Sequence, residues 1–517
     1  MYGYLKRAME DEARREKLFL GVVCLVALLL HLWLIPKLNI VEDESAYMQD
    51  AAQITPDFLP FREFGGTKGP LWLFLFKGWQ LGAGQTIFAS RLFSSLAHVG
   101  SIVLVWLLAR SFPISRRAAG IATILWGLSA VVVSLSTNIT HIPLELVCVL
   151  AGFYLLRRAG WKNVMLAALC LWAALLMRAT AAAFAPAILA LLLIRSDRSR
   201  AVSTFFISGV LLIALSLAIV YPLYGWPKTA FFFNLDATLI AGNQRSVYTP
   251  AKPISPFTSL RQAALPLELD GLSLVVPALV LPLLVVWRVY KKRPLPYGLV
   301  LLIAVWVGSF AGFYKAWGRT PTPFYPLESI PALALAAALV IEASLVWSQK
   351  KRLLTLMLGL FIMLFAADLL GSYRDIPIHQ YRGTVEVKAA REVAAILRAN
   401  VPPGTVIFTA QPVFPFLAGL PLYGGYTHAG WYLSERAGII PPEIRRVFLP
   451  DFETLPDKVS ADVTWIVVDW RTNDVYFNEK APATLPMREL LARDFEVVAT
   501  VANPASRDII VYRRIAR

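Results

Sequence analysis

Apolar runs about as long as a bilayer is thick recur along the first three-quarters of this 517-residue chain, and no soluble core has room for so many. A spanning helix needs roughly 20 mainly apolar residues. About eleven segments meet that need: 17–36, 87–109, 117–136, 140–156, 163–177, 180–195, 202–222, 272–288, 297–314, 326–347 and 353–371. With 57% hydrophobic and only 16% charged residues, the composition excludes an ordinary soluble domain. Lys6, Arg7, Arg14, Arg15 and Lys17 spread over a long polar start, and no small-residue cleavage site follows, so the first segment reads as a retained helix and not a signal peptide.

Basic residues then cluster after every second segment: Arg110/Arg116/Arg117, Arg157/Arg158/Lys162, Arg195/Arg198/Arg200, Arg288/Lys291/Lys292/Arg293 and Lys350/Lys351/Arg352. By the positive-inside rule these loops and the N-terminus are expected in the cytoplasm, which implies an odd number of helices. Residues 37–86, 137–139, 178–179, 223–271, 315–325 and everything after 371 are then expected outside. Residues 1–375 hold 34 basic and 19 acidic residues against 16 and 15 in 376–517, so the net charge of +16 belongs almost wholly to the apolar part. Anionic headgroups and topology explain that excess, and nucleic acid is not an expected partner.

The tail changes character. An amphipathic run, 385–398, is followed by "TVIFTA", "VTWIVVDW", a helical "LPMRELLARDF", "FEVVATVA" and "DIIVYRR", separated by Pro/Gly-rich loops. Two units are expected: a membrane part, 1–375, and a small α/β domain, 376–517, on the outer face. Cys24, Cys148 and Cys170 all lie in apolar stretches, which leaves no disulfide framework and no cysteine-based metal site. The five histidines are too scattered along the chain for a metal site.

Several charges are not explained by the membrane. The first outer loop, 37–86, holds Glu42, Asp43, Glu44, Asp50, Asp57 and Glu63. Adjacent carboxylates repel one another unless a cation or hydrogen-bond donor is close. Glu42, Asp43 and Glu44 are therefore either a functional site or a solvated helix start favoured by the helix dipole. A helix beginning near Asp43 puts Tyr47, Asp50 and Ile54 on the face of Asp43 and is expected to lie along the membrane surface.

In the same loop Lys68 precedes Gly69 and Pro70, at an expected helix start. It is either an anion site beside unpaired N–H groups or an interfacial lysine. Arg178 and Arg319 break the positive-inside pattern at the outer ends of helix pairs, where an arginine usually has a partner. Lys315 is closer to an ordinary interfacial residue. Glu145 is the one acid early in its helix, and Arg178 is its expected partner.

Four stretches, "DESAY" at Asp43–Tyr47, "TKGPL" at Thr67–Leu71, "LLMRATAAAFAP" at Leu175–Pro186 and "GRTPTPFYPLESIPALAL" at Gly318–Leu335, together resemble one superfamily. It is the polytopic glycosyltransferases of the C-type fold that use polyprenyl-phosphate sugars, in the branch of the bacterial protein O-mannosyltransferases and the lipid A aminoarabinose transferase. The resemblance covers about 370 residues in order and spacing, with an outer C-terminal domain after them. It implies a transferase of the bacterial inner membrane, with a polyprenyl-phosphate sugar as donor, a glycan, lipid or protein as acceptor, and lipids around it. It places the catalytic base at Asp43 and the donor phosphate near Lys68; because phosphate leaves readily and needs no protonated acid partner, Glu44 is expected to orient the site.

Where relatives show a histidine-tyrosine pair this chain reads Phe324–Tyr325, so only Tyr325 carries over to the phosphate site. Some relatives have an acid or histidine just before the lysine, at times as a metal ligand; this chain has Thr67, and the sequence supports no divalent metal or other cofactor.

A phosphate leaving group needs cations and one base. Lys68, Arg178 and Arg319 supply the charge and Asp43 accepts the proton, with Tyr47 and Glu145 in support. One base and direct displacement imply inversion at the anomeric carbon. A transporter or flippase is a second class, disfavoured because such folds often show paired halves with broken helices and none is seen here; a non-catalytic sugar-binding relative is a third.

The basic alternation makes a topological prediction. A cysteine introduced into 376–517 is expected to react with an impermeant maleimide on intact cells, and labelling only after permeabilisation inverts the whole scheme.

Overall fold

A computed structural model describes residues 2–60, 62–63, 69–225, 276–290, 294, 296–317, 325–348, 384–425, 455–477 and 484–515. Helices occupy ten of the eleven expected apolar segments, and the eleventh, 353–371, lies outside the described residues. In chain order the first ten helices are α1 (Tyr2–Leu34), α2 (Glu42–Ala52), α3 (Pro70–Ala83), α4 (Ile87–Arg110), α5 (Arg116–Leu128), α6 (Ala130–Thr137), α7 (Ile142–Arg157), α8 (Trp161–Met177), α9 (Ala185–Leu193) and α10 (Arg198–Tyr224). They are followed by α11 (Val276–Tyr290), α12 (Tyr297–Trp317) and α13 (Ile330–Ser348).

Local chemistry sets many of these boundaries. Thr86 and Ser115 cap α4 and α5 by accepting from the N–H groups of Ala89 (3.0 Å) and Ala118 (3.1 Å). Pro70 opens α3 at a position where a missing N–H costs nothing. Two expected single helices are interrupted. Ser129, in an extended conformation, divides 117–136 into α5 and α6, bent by 47°, and caps α6. The segment 180–195 starts as a 3-10 turn, Ala179–Phe184, before α9.

Among the described residues three helices are long and apolar enough to cross a membrane, residues 11–34, α4 and α10, or four if α5 and α6 make one span. Five shorter apolar helices accompany them. Their inner faces share one core, in which Trp306 meets Phe153 edge-on with ring centres 5.1 Å apart and Phe184 meets Phe310 at 4.7 Å. Small residues on α13, Ala332, Ala334 and Ala336 to Ala338, are fully or almost fully buried and let neighbouring helices approach closely. Outward faces are apolar instead of polar: Phe206, Ile207, Val210 and Leu211 on α10 are each more than 60% exposed. A bundle apolar both inside and out is that of a polytopic membrane protein.

The C-terminal region is α/β: α14 (Val387–Asn400), β1 (Ile407–Phe408), α15 (Val413–Ala418), α16 (Leu455–Asp462), β2 (Trp465–Val468), α17 (Trp470–Tyr476), α18 (Leu485–Asp494), β3 (Phe495–Val501) and β4 (Ile509–Arg514), of which α14, α18 and the four strands fall on the segments expected from sequence and α15, α16 and α17 are additional. The sheet order is β1-β2-β4-β3, with β1 and β2 parallel and the other pairs antiparallel. Side chains alternate between faces at period two. Phe408, Ile466 and Val468 enter a core with α16 and α18, whereas Ile407, Trp465 and Val467 enter a second core. That second core is not confined to the C-terminal region. It runs from α14 and α15 into Tyr47, Met48 and Ala51 of α2 and Trp72, Leu73 and Phe76 of α3.

Candidate active site

The acidic helix α2 is polar in sequence and nearly enclosed in the fold. Residues 44–51 are all buried, so each polar side chain must find a partner inside the protein. The expected helix at Asp43 forms, and α2 sits between the helical bundle and the C-terminal sheet, sharing a core with both α3 and α15.

Arg91 of α4 supplies the main partner. Its guanidinium grips Glu44 with two bonds, Nε to Oε1 at 2.7 Å and Nη2 to Oε2 at 2.8 Å. The remaining N–H groups donate to the carbonyls of Ile35 (2.6 Å), Leu38 (2.8 Å) and Asn39 (3.0 Å), where the chain leaves α1. All five donors of the fork are thereby used. Glu44 also accepts from the Ile139 N–H at 3.2 Å, and both side chains are fully buried.

Asp43 is the partly exposed acid of the pair, and the Tyr47 hydroxyl donates to it at 3.4 Å, one turn on. Tyr47 is held edge-on between Trp72 of α3 and His141, with ring centres 6.4 and 6.3 Å away. His141 stands at the start of α7, with its Nε2 3.9 Å from a carboxylate oxygen of Glu145.

The "TKGPL" and "LLMRATAAAFAP" stretches meet through backbone. Gly69 donates its N–H to the Met177 carbonyl at 3.0 Å. A Cβ on Gly69 would lie 2.2 Å from the Leu176 carbonyl oxygen, so only glycine permits the approach. Lys68 itself lies outside the described residues, but the contact pins its neighbour beside the residue preceding Arg178.

Arg178 is extended between α8 and the 3-10 turn that follows, is buried, and is ion-paired with Glu328. Glu328 closes a 3-10 turn that starts at Tyr325, and its carbonyl accepts from the Trp306 indole at 3.0 Å. The expected pairing of Arg178 with Glu145 is therefore corrected: Glu328, 150 residues along the chain, takes that place, and Glu145 lies beside His141. Arg319, Thr67 and Phe324 lie outside the described residues.

Sequence reasoning missed Arg91, Glu328 and His141. The rule that flagged Arg178 also applies to Arg91, a cation inside an apolar segment, and Glu328 was on view within the last motif. The histidines are also less scattered than their positions suggest, since His31 and His98 are joined at 2.8 Å. Among the described residues no group of three His, Cys, Asp or Glu side chains is placed to hold a metal ion.

A buried pair broken on one side leaves an uncompensated charge, at a cost of about 3–5 kcal/mol. Arg91→Met is thus expected to lower the thermal midpoint of the purified protein in detergent sharply. Arg91→Met combined with Glu44→Leu is expected to recover part of the loss, and a double variant as unstable as the single one would contradict this.

Comparison with known proteins places this geometry. The dolichyl-phosphate-mannose-protein mannosyltransferase family matches residues 67–226. Comparison with curated protein sequences gives no match. Among solved structures, ArnT from Cupriavidus metallidurans in the apo state is 14% identical with a TM-score of 0.61, over 97% of this chain and 98% of that one. The same protein bound to undecaprenyl phosphate is 14% identical with a TM-score of 0.59, over 96% and 97% of the two chains. The Archaeoglobus fulgidus oligosaccharyltransferase tethered to an acceptor peptide is 13% identical with a TM-score of 0.53, over 96% of this chain and 74% of that one. The resemblance carried by the four motifs is borne out, and the chain has the C-type fold of the polyprenyl-phosphate-sugar glycosyltransferases.

Proposed function

We propose that this protein moves a sugar from a polyprenyl-phosphate donor to an acceptor hydroxyl on a lipid, polysaccharide or protein, with inversion, at the outer face of a bacterial inner membrane. The N-terminus is then cytoplasmic and 376–517 extracytoplasmic. One observation carries the reading furthest: of the adjacent acids, Glu44 has both oxygens committed to Arg91 while Asp43 is partly exposed beside the Tyr47 hydroxyl. Glu44 therefore orients the helix, and proton transfer is assigned to Asp43.

In the reaction the acceptor oxygen forms a bond to the anomeric carbon as the bond from that carbon to the phosphate oxygen breaks. Asp43 takes the acceptor proton, and the phosphate departs with the bonding electrons. A single displacement inverts the anomeric centre. Lys68, Arg178 and Arg319 offset the charge that develops on the phosphate, and Tyr325 is assigned to the same phosphate. Arg178 shares its charge with Glu328. Tyr47 steadies Asp43, and Glu145 supports the site through His141. ArnT bound to undecaprenyl phosphate supports a lipid phosphate as the carrier.

Membranes carrying the protein, supplied with a panel of radiolabelled undecaprenyl-phosphate sugars, are expected to form a labelled product from at least one; no product from any donor would defeat the reading. With the active donor, Asp43→Asn is expected to keep expression and donor binding but to lose two or more orders of magnitude in turnover, about the value of general-base help. Near-normal turnover would remove Asp43 from the mechanism.

Replacing Lys68 or Arg319 with Gln is expected to weaken donor binding, with combined losses less than additive because both act on one charge. Arg178→Lys is expected to rescue only in part, since an ammonium cannot reproduce a planar fork. The measurement is donor affinity by titration, with Lys315→Gln expected to match the parent.

A further inference from the structure

The far side of α2 is held by the C-terminal region. Ser45, next to Glu44 and fully buried, donates its hydroxyl to the side-chain carbonyl of Gln411 at 3.0 Å. Gln411 is itself fully buried in the turn between β1 and α15. That turn is fixed by a directional chain of hydrogen bonds. At the end of β2, Asp469 accepts from both the N–H (2.8 Å) and the hydroxyl (2.6 Å) of Thr472.

With its own proton given to Asp469, the Thr472 oxygen receives the Thr409 hydroxyl at 3.1 Å. The Thr409 oxygen in turn receives the Gln411 N–H at 3.1 Å. Every link is buried, where hydrogen bonds are strongest and broken ones most costly. Alongside it, Ile40 and Val385 exchange backbone bonds of 2.8 and 3.0 Å just before α2 starts.

From this geometry we infer that Gln411 is a positioning residue for the transfer reaction: anchored by Asp469 and Thr472, it holds Ser45 and so fixes the first turn of α2, which carries Asp43. The inference rests on the transferase reading for its kinetic consequence and not for its structural one. Arg91 fixes the same turn from the bundle side, so the carboxylate of Asp43 is aimed by two supports that belong to opposite ends of the chain. Loss of the Gln411 support leaves the donor site intact and misdirects the base, a small displacement that is costly to turnover.

The test uses the full-length protein in detergent with its three cysteines replaced by alanine. Asp43→Cys is probed by its rate of reaction with a maleimide, and Leu75→Cys on exposed α3 surface serves as control. Adding Ser45→Ala, which favours the helix itself, or Gln411→Met is expected to raise labelling at position 43 by roughly threefold or more, through local opening, and to leave position 75 unchanged. An unchanged rate at position 43 overturns the inference whatever donor the protein uses.

With Asp43 restored and an active undecaprenyl-phosphate sugar as donor, Ser45→Ala and Gln411→Met are each expected to lower kcat by about tenfold. KM for the donor should stay within about twofold, and the double variant should be no worse than either single one. An unaltered kcat, a loss carried by KM, or additive losses overturn it. Absence of transfer from any donor defeats the transferase reading instead, and the labelling rates still decide whether Gln411 holds α2.

Discussion

The bidentate bond between Arg91 and Glu44 is the constraint on which the site depends. It joins three pieces of chain: the exit from α1, the first turn of α2 and the start of α4. A buried ion pair is weak evidence for net stability, because desolvation offsets most of the attraction. Its contribution is geometric. With all five donors and both carboxylate oxygens engaged, neither partner can rotate without leaving a buried charge unmet. The polar helix "EDESAYMQDAA" can therefore be enclosed, and Asp43 is set at its edge with one face still partly open.

A second buried pair, Arg178 with Glu328, does the corresponding work for the other half of the site. It ties the end of α8 to the turn before α13, and the contact of Gly69 with Met177 then brings the "TKGPL" stretch to the same place. Four motifs spread over about 290 residues are thus assembled by two ion pairs, one glycine contact and the packing of Tyr47 on Trp72. Charge inside an apolar bundle is costly, and here it is spent where segments must be held in register.

Much of this was legible in the sequence, because hydrophobic periodicity and length are properties of single segments. The helices over ten of eleven apolar runs, the start of α3 at Pro70 and the four strands of the tail with α14 and α18 follow from local pattern alone. What was not legible depends on distant pairing. Arg178 was matched with Glu145, the nearest unexplained acid, and the fold chose Glu328, because the turn from Tyr325 to Glu328 is delivered to it by packing that no local window contains. Arg91 stood in plain view inside an apolar segment but was read as part of a helix. Gln411 offered no signal, since a glutamine between a short strand and a short helix is unremarkable until its neighbour in space is known.

The strands β1 and β2 of the C-terminal sheet are buried on both faces, and one of those faces is completed by α2 and α3. That arrangement has a consequence for how the protein is made. Ser45 and Gln411 are 366 residues apart and Asn39 and Thr384 are 345 apart, so at roughly 5–20 residues per second the first partners wait on the order of 20–70 s for the second to be synthesised. During that interval the acidic helix has its hold on Arg91 but lacks its other wall, and its apolar side is uncovered. Closure of the site therefore waits for the sheet: without the sheet, α2 lacks the wall that Gln411 and Val385 supply beside the place where the chemistry is to happen.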